Sequence, residues 1–255
     1  MGVRLKDKVA VVTGGGSGIG QAICVLFAEE GASVCFGDLN EEGSAETVRQ
    51  IEEAGGAAHF VVADVGEESE CKRLVDEAVN TFGGLNVLVN NAARFITKGA
   101  DATPQDWDTM MRTNVYGYAF TARFAIGEMR KTAGGTIVNV ASMSSLIAQP
   151  ESWTYNATKG AVAQLTRCMA MDLAPDNIRV NAVCPGVVWT AGAARNAKEW
   201  GMTKQEAFET WGVHQLIRRP ADPREIAYPV LFLACEESSF VTGSLLVADA
   251  GYTAQ

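Results

Sequence analysis

Short, continuous apolar runs alternate along the chain with longer stretches in which apolar residues recur every three or four positions. The runs are rich in β-branched residues and end at glycine, asparagine, serine or aspartate, as buried strands do. They predict strands at 8–13, 33–38, 58–64, 86–92, 136–142, 178–186 and 245–251. The stretches between them predict helices at about 18–30, 41–54, 67–81, 104–131, 153–174 and 222–235.

Strands that are apolar along their whole length are buried on both faces, which is typical of a parallel sheet covered by helices. Right-handed crossovers then wind such a sheet in two directions. The pattern predicts one domain over residues 1–255, an α/β Rossmann-like fold with a doubly wound parallel sheet of about seven strands and helices on both faces. One long stretch, at about 186–221, lacks either pattern and is predicted to be an irregular substrate loop or lid.

Charge narrows the classes of partner. The formal net charge is −9, which disfavours binding to nucleic acid or to an anionic membrane surface. No run of 18 apolar residues is present, and the first apolar run, at 8–13, is too short for a signal peptide. These features predict a soluble, cytoplasmic protein.

The thiols and imidazoles suggest no metal site. The six cysteines contain no C-x-x-C pair, and the two histidines, His59 and His214, lie in unrelated contexts. We therefore expect reduced, mostly buried thiols and no bound metal.

The turn after the first strand reads TGGGSGIG and leads directly into a helix. Glycines permit left-handed backbone conformations and a close approach to a ligand, and the amides at a helix N-terminus favour phosphate. A purely structural turn is the alternative. The predicted binding residues here are Gly14, Gly16, Ser17, Gly18, Ile19 and Gly20.

Asp38 ends the second strand, 38 − 20 = 18 residues after Gly20. A carboxylate near this offset binds the ribose hydroxyls of an adenosine and repels a 2′-phosphate. Leu39 follows it, so no basic side chain adjoins the carboxylate, and NAD is favoured over NADP. The alternative is that Asp38 caps the next helix.

Several further motifs follow in order: Asp64-Val65, NNAA at 90–93, Ser142, Tyr155-x-x-x-Lys159 and PGVVWT at 185–190. Together with the glycine turn, they resemble the roughly 250-residue branch of the short-chain dehydrogenase/reductase superfamily. The resemblance covers the whole chain. It departs from the family at Ala93, where glycine is usual, and at ADAG near the C-terminus, where DGG is common.

The resemblance implies roles for individual residues. Asp64 and Val65 would meet the adenine, and Asn91 and its neighbours would pass under the adenosine. Asn114 would be the fourth catalytic residue and hold a water that relays protons. Val188 and Thr190 would hold the nicotinamide carboxamide. The residues that remain are also expected at the cofactor: Leu39, Ala92, Ala93, Pro185 and Gly186.

Tyr155 and Lys159 are one helical turn apart, so they share a helix face. A nearby ammonium, together with the positive charge of an oxidised nicotinamide, would lower the pKa of Tyr155 and make it a base. Lys159 would also donate to the nicotinamide ribose. Ser142, at a strand end, would hold the substrate oxygen. The resulting prediction is hydride transfer between a secondary alcohol and its ketone.

The sequence says less about the substrate. A small polyol, sugar or hydroxy acid is expected, and Arg94 could bind an anionic group or be a surface side chain. The candidates for the pocket wall are Arg94, Ser144, Gln149, Trp153, Trp189, Arg195 and His214.

Two other functions stay open: reduction of a 3-oxoacyl thioester or epimerisation on the same fold, and NAD sensing without catalysis. The resemblance also implies a homotetramer or homodimer.

Overall fold

The structure, a computed structural model, describes residues 3–132 and 134–255. Within these residues, seven strands form one parallel sheet in the order β3-β2-β1-β4-β5-β6-β7. The strands are β1 Val9–Thr13, β2 Ser33–Asp38, β3 Ala57–Val62, β4 Val87–Asn90, β5 Gly135–Val140, β6 Ile178–Pro185 and β7 Leu245–Ala248. The predicted doubly wound α/β sheet is confirmed.

Nine α-helices lie between the strands of the described chain. They are α1 Gly18–Glu29, α2 Glu41–Glu53, α3 Glu68–Phe82, α4 Pro104–Met111, α5 Gly117–Lys131, α6 Trp153–Leu173, α7 Ala191–Glu199, α8 Lys204–Trp211 and α9 Pro223–Ala234.

Two apolar layers hold the helices against the sheet. On one face, Phe27 of α1 and Val230 of α9 pack with Val12 of β1. On the other face, Leu74 of α3 and several residues of α5 pack against the opposite side of the central strands. Because consecutive strand residues point to opposite faces, an uninterrupted apolar strand supplies both layers.

The chain reverses direction across the sheet between β1 and β4. From β1 it runs outward through β2 and β3, then returns to β4 on the other side of β1. Helices therefore diverge from the carboxyl ends of these two strands, which leaves a crevice where open α/β sheets bind ligands.

Two predicted elements differ from the structure. The stretch at 186–221 is not irregular throughout, since it contains α7 and α8, each capped by a threonine side chain, Thr190 and Thr203. The predicted helix at 104–131 is divided by a π-helical turn over Arg112–Tyr116. Such turns often occur at functional sites.

None of the helices in the described ranges is long and apolar enough to cross a bilayer. The cysteines are unpaired. Five are buried as expected, whereas Cys168 on α6 is exposed because its position on that helix faces away from the core.

Candidate active site

The glycine turn folds tightly against the first turn of α1. Gly14 and Gly18 have φ of +71° and +54°, a left-handed conformation that a side chain would strain. A Cβ on Gly20 would lie 1.9 Å from the carbonyl oxygen of Gly14. The glycines at 14 and 20 are therefore required by the close approach of backbone to backbone.

Side chains from β1 and β4 lock this turn in place. The Asn91 amide donates to the carbonyl oxygens of Thr13, at 2.9 Å, and Gly14, at 3.1 Å. The Thr13 hydroxyl accepts from the backbone amides of Asn91 and Ala92, at 2.9 and 3.0 Å. Asn91 therefore holds the turn, a role that the sequence motif did not indicate.

The mouth of the turn is suited to an anion. Ser17 is the N-cap of α1, yet its hydroxyl makes no capping hydrogen bond, and the first turn of α1 carries no acidic residue. The free amides and partial positive charge of a helix N-terminus attract phosphate. The residues present thus fit the pyrophosphate of a dinucleotide.

Asp38 is fixed beside the turn. One carboxylate oxygen accepts from the Gly16 amide and the other from the Asn40 amide, both at 2.8 Å. The N-cap of α2 is Asn40, whose side chain accepts from Gly43 at 3.2 Å. The alternative in which Asp38 caps α2 is therefore wrong.

The crevice continues from this point as a cleft of about 1110 Å³. Most of the predicted cofactor residues line it. They are Gly14, Ser17, Gly18, Ile19, Gly20, Asp38, Leu39, Asp64, Val65, Asn91, Ala92, Ala93, Tyr155, Val188 and Thr190.

The other four predicted cofactor residues do not line the cleft: Lys159 is buried behind Tyr155, and the remaining three support the wall. Gly16 donates its amide to Asp38. Pro185 is buried at the end of β6. A Cβ on Gly186 would lie 2.7 Å from the Cα of Asp249, so this glycine permits close packing instead of facing the cleft.

Tyr155 lies in the first turn of α6, at the cleft, with Ser142 beside it at the end of β5. Burial raises the pKa of Tyr155, and a hydrogen bond with Ser142 opposes that rise. Desolvation of the phenolate thus works against the predicted lowering of this pKa, which depends on Lys159 and on the positive charge of an oxidised nicotinamide. The Phe95 ring meets the Tyr155 ring edge-on, with the centroids 4.6 Å apart.

Ser142 belongs to a short chain of hydroxyl and amide groups. Its oxygen accepts from the Ser144 amide at 3.1 Å and lies 3.0 Å from the Ser144 hydroxyl. Ser144 in turn bonds the side chain of Gln149, which lines the cleft. The orientation of the Ser142 hydroxyl is therefore tied to the cleft wall through two further side chains.

Lys159 is 1% exposed and lies one turn along α6 from Tyr155. Its ammonium donates to the carbonyl oxygen of Val140 at 2.7 Å. Its Nζ is 5.7 Å from the centroid of the Tyr155 ring. Burial lowers the pKa of Lys159 to about 7, so its charge is finely balanced near neutral pH.

Asn114 lies in the π-helical turn and is fully buried. Its side-chain oxygen accepts from the Arg94 amide at 2.8 Å, and its side-chain nitrogen donates to the Arg94 carbonyl at 3.0 Å. It also donates to the Thr158 hydroxyl at 3.1 Å. Its side chain joins the segment after β4 to α6, and its role in holding a water stays a prediction.

Of the seven proposed pocket residues, four line the cleft: Arg94, Gln149, Arg195 and His214. Ser144 does not, because it is buried behind Gln149, to which its hydroxyl donates. Trp153 does not, because it begins α6 with its side chain 58% exposed to solvent. Trp189 is also absent from the lining, since it packs within the insertion against Phe208, with centroids 5.0 Å apart.

Tyr252 is a cleft residue that the sequence analysis missed. It comes from the C-terminal segment, and its ring lies 5.9 Å from that of His214. No local motif marks it, because its proximity depends only on where β7 ends. Trp200 and Trp211, from the insertion, complete an aromatic part of the wall.

Comparison with known proteins agrees with this geometry. Residues 14–253 match a family model described as enoyl-(acyl carrier protein) reductase. A cyclopentanol dehydrogenase from Comamonas sp. is 42% identical, over 98% of this chain and 99% of that protein. A glucose and ribitol dehydrogenase homolog from Oryza sativa subsp. japonica is 36% identical, over 97% of this chain and 86% of that protein.

Among solved structures, a putative short-chain dehydrogenase/reductase from Burkholderia xenovorans superposes with a TM-score of 0.95. It is 31% identical and covers 99% of each chain. The extent of these matches, with Ser142 and Lys159 packed around the cleft residue Tyr155, makes this chain a member of the short-chain dehydrogenase/reductase family of oxidoreductases.

Proposed function

We propose that the protein is an NAD-dependent dehydrogenase that interconverts a small secondary alcohol and its ketone. The observation that carries the proposal is the placement of Tyr155 in the cleft, with Ser142 near enough to oppose the rise in its pKa and Lys159 buried behind it. This is the arrangement expected of a positioned base, an oxygen-binding hydroxyl and a cation.

Each side chain has a distinct task. The Tyr155 phenolate oxygen takes the proton of the substrate alcohol, and the Ser142 hydroxyl holds the same substrate oxygen as its charge develops. Lys159 favours the phenolate form of Tyr155. The bound nicotinamide supplies the chemistry of hydride transfer, and its positive charge in the oxidised form offsets the cost of burying the phenolate.

The choice of NAD rests on Asp38. Its carboxylate, fixed by two backbone amides, lies at the cleft next to the glycine turn. A ribose diol can donate to it, whereas a 2′-phosphate would be repelled.

We expect Asp38→Asn to weaken the preference for NAD⁺ over NADP⁺ by about 10- to 100-fold, mainly through a higher KM for NAD⁺. The substitution removes both the charge-assisted hydrogen bond to the ribose and the repulsion of a 2′-phosphate. Asparagine keeps an acceptor for one of the two amides. The measurement is kcat/KM for each cofactor. Glu41→Gln, an exposed site at the start of α2 that does not line the cleft, removes the same charge and should leave the ratio unchanged.

The substrate is proposed to be compact. The wall next to Tyr155 includes the apolar side chains of Phe95 and Met143, while Arg94, Gln149 and Arg195 supply polar groups to the same cleft. A polyol, sugar or hydroxy acid with one secondary hydroxyl at Tyr155 fits this mixture, and so does a small alicyclic alcohol. An anionic substrate group at Arg94 stays a prediction.

The test is a panel of secondary alcohols with NAD⁺ and NADP⁺, followed by the absorbance of the reduced cofactor. The panel includes cyclopentanol, ribitol, glucose and a hydroxy acid, and a 3-oxoacyl thioester with NADH as the reductive arm. Turnover of a small alcohol with NAD⁺ is the expected result. Activity confined to the thioester, or NADH binding without any turnover, would replace the proposal by one of the two alternative functions.

The proposed assembly is a homotetramer or homodimer. Its support is a set of exposed apolar side chains in the last part of the chain, namely Tyr228 on α9, Phe240 between α9 and β7, and Val247 on the edge strand β7. The cytoplasmic location likewise stays a prediction.

A further inference from the structure

Tyr118 is a buried phenol that the proposed reaction does not use. It lies in the first turn of α5, is 1% exposed and does not line the cleft. Its ring packs with Val162 and Ala182, and its carbonyl oxygen accepts from the Asn90 side chain at 3.3 Å. The position of Tyr118 is therefore fixed from both its backbone and its ring.

The hydroxyl of Tyr118 closes a triangle with Lys159. It donates to the carbonyl oxygen of Val140 at 3.0 Å, and the Lys159 ammonium donates to that same oxygen at 2.7 Å. A carbonyl oxygen has two lone pairs and can accept both. Since its hydrogen is committed to Val140, the Tyr118 oxygen is left as an acceptor for the Lys159 ammonium, at 3.4 Å.

The rings of Tyr118 and Tyr155 also lie close to the Lys159 ammonium. The Lys159 Nζ lies 5.4 Å from the centroid of the Tyr118 ring and 5.7 Å from that of Tyr155. Both distances fall in the range in which an aromatic face attracts a cation. The ammonium is thus held by one catalytic and one non-catalytic tyrosine.

Few other groups in the described chain influence the charge of Lys159. On its own helix it faces Tyr155, on α5 it faces Tyr118, and from β6 the Cys184 thiol acts on it. Burial, and to a smaller extent Tyr155, raises the pKa of Tyr118 well above its usual range, so Tyr118 stays a neutral phenol. Since none of these three neighbours is a carboxylate, each neutral acceptor matters for keeping Lys159 protonated.

We propose that Tyr118 is a positioning residue, which holds the Lys159 side chain as an ammonium directed toward Tyr155. The catalytic consequence rests on the proposed function, because it requires that Tyr155 act as the base. The hydrogen bond between Lys159 and Tyr118 does not depend on the proposed function.

The test is Tyr118→Phe, which keeps the ring and removes only the hydroxyl. Loss of an acceptor should lower the pKa of Lys159 by about half to one unit. Less ammonium then means less stabilisation of the Tyr155 phenolate. The rising limb of the profile of kcat/KM against pH for alcohol oxidation should therefore move to higher pH by a similar amount. At a fixed pH on that limb, kcat/KM should fall by about three- to tenfold.

The pKa of Lys159 is read directly from the ¹³C shift of its ε-carbon in protein labelled at lysine, with the resonance assigned by its loss in Lys159→Met. Tyr116→Phe is the matched control. It removes a hydroxyl two positions away whose side chain is exposed, and it should move neither the ¹³C titration nor the pH profile. If Tyr118→Phe does not fold, Tyr118→Met, of similar volume and adaptable shape, is measured in the same way.

The two readouts separate the inference from the proposed function. A lowered Lys159 pKa in a protein that oxidises no alcohol leaves the inference standing and removes the proposed function. An active enzyme in which Tyr118→Phe changes neither the Lys159 titration nor the pH profile overturns the inference, since Tyr118 would then only fill space.

Discussion

Replacing Tyr155 by phenylalanine should abolish alcohol oxidation while NADH still binds. Positioned acid–base groups contribute roughly 10²- to 10⁴-fold to rate, and the substitution removes the proton acceptor without altering the shape of the ring. The edge-on contact with Phe95 is preserved because it does not involve the hydroxyl. The measurements are kcat for a substrate found in the panel and NADH affinity by the quenching of tryptophan fluorescence.

Tyr116→Phe provides a control, since Tyr116 is an exposed tyrosine that does not line the cleft. Its kcat and NADH affinity should match those of the wild type. Wild-type turnover by Tyr155→Phe would exclude Tyr155 as the base.

Gly20→Ala should disable the cofactor site by a steric route. The added methyl group would lie 1.9 Å from the Gly14 carbonyl oxygen and 2.6 Å from the Asn91 amide nitrogen. Both groups hold the turn closed, so the turn must open or α1 must shift. We expect a loss of stability of about 1–3 kcal/mol and NADH binding weaker by about 10- to 100-fold. Thermal unfolding and fluorescence titration measure the two effects.

Gly127→Ala is the matched control. Gly127 lies within α5, and a methyl group added there would meet no described atom within 4 Å. Alanine at this position should therefore stabilise the helix by about 0.5–1 kcal/mol and leave NADH affinity unchanged. NADH affinity equal to wild type in Gly20→Ala would mean that the tight turn is not part of the cofactor site.

The fold could be predicted from the sequence because its information is local. A buried parallel strand is mostly apolar along its length, so β1, β4 and β5 are visible as short runs rich in valine and other aliphatic residues. The helices within 186–221 were harder to predict. Helices α7 and α8 are only 9 and 8 residues long, and such short helices owe their stability to capping and packing more than to an apolar period.

The site could be predicted only where its residues belong to one local element. Tyr155 and Lys159 belong to one helix, so their spacing alone puts them on one face. Tyr118 reaches Lys159 from another helix, with 41 positions between them, and no periodic pattern encodes that contact. The burial that raises the pKa of Tyr155 depends likewise on the elements around the cleft and cannot be read from its own segment.

The lock between Asn91 and the glycine turn has a consequence for how the binding site is made. Asn91 and Thr13 are 78 positions apart, so the turn is completed only when β4 has paired beside β1. A fragment holding β1, α1 and β2 would carry every glycine of TGGGSGIG and still lack the side chain that closes it. Because a ligand that binds only the native state stabilises it, dinucleotide added during refolding should protect the pairing of β1 with β4 along with the turn it touches.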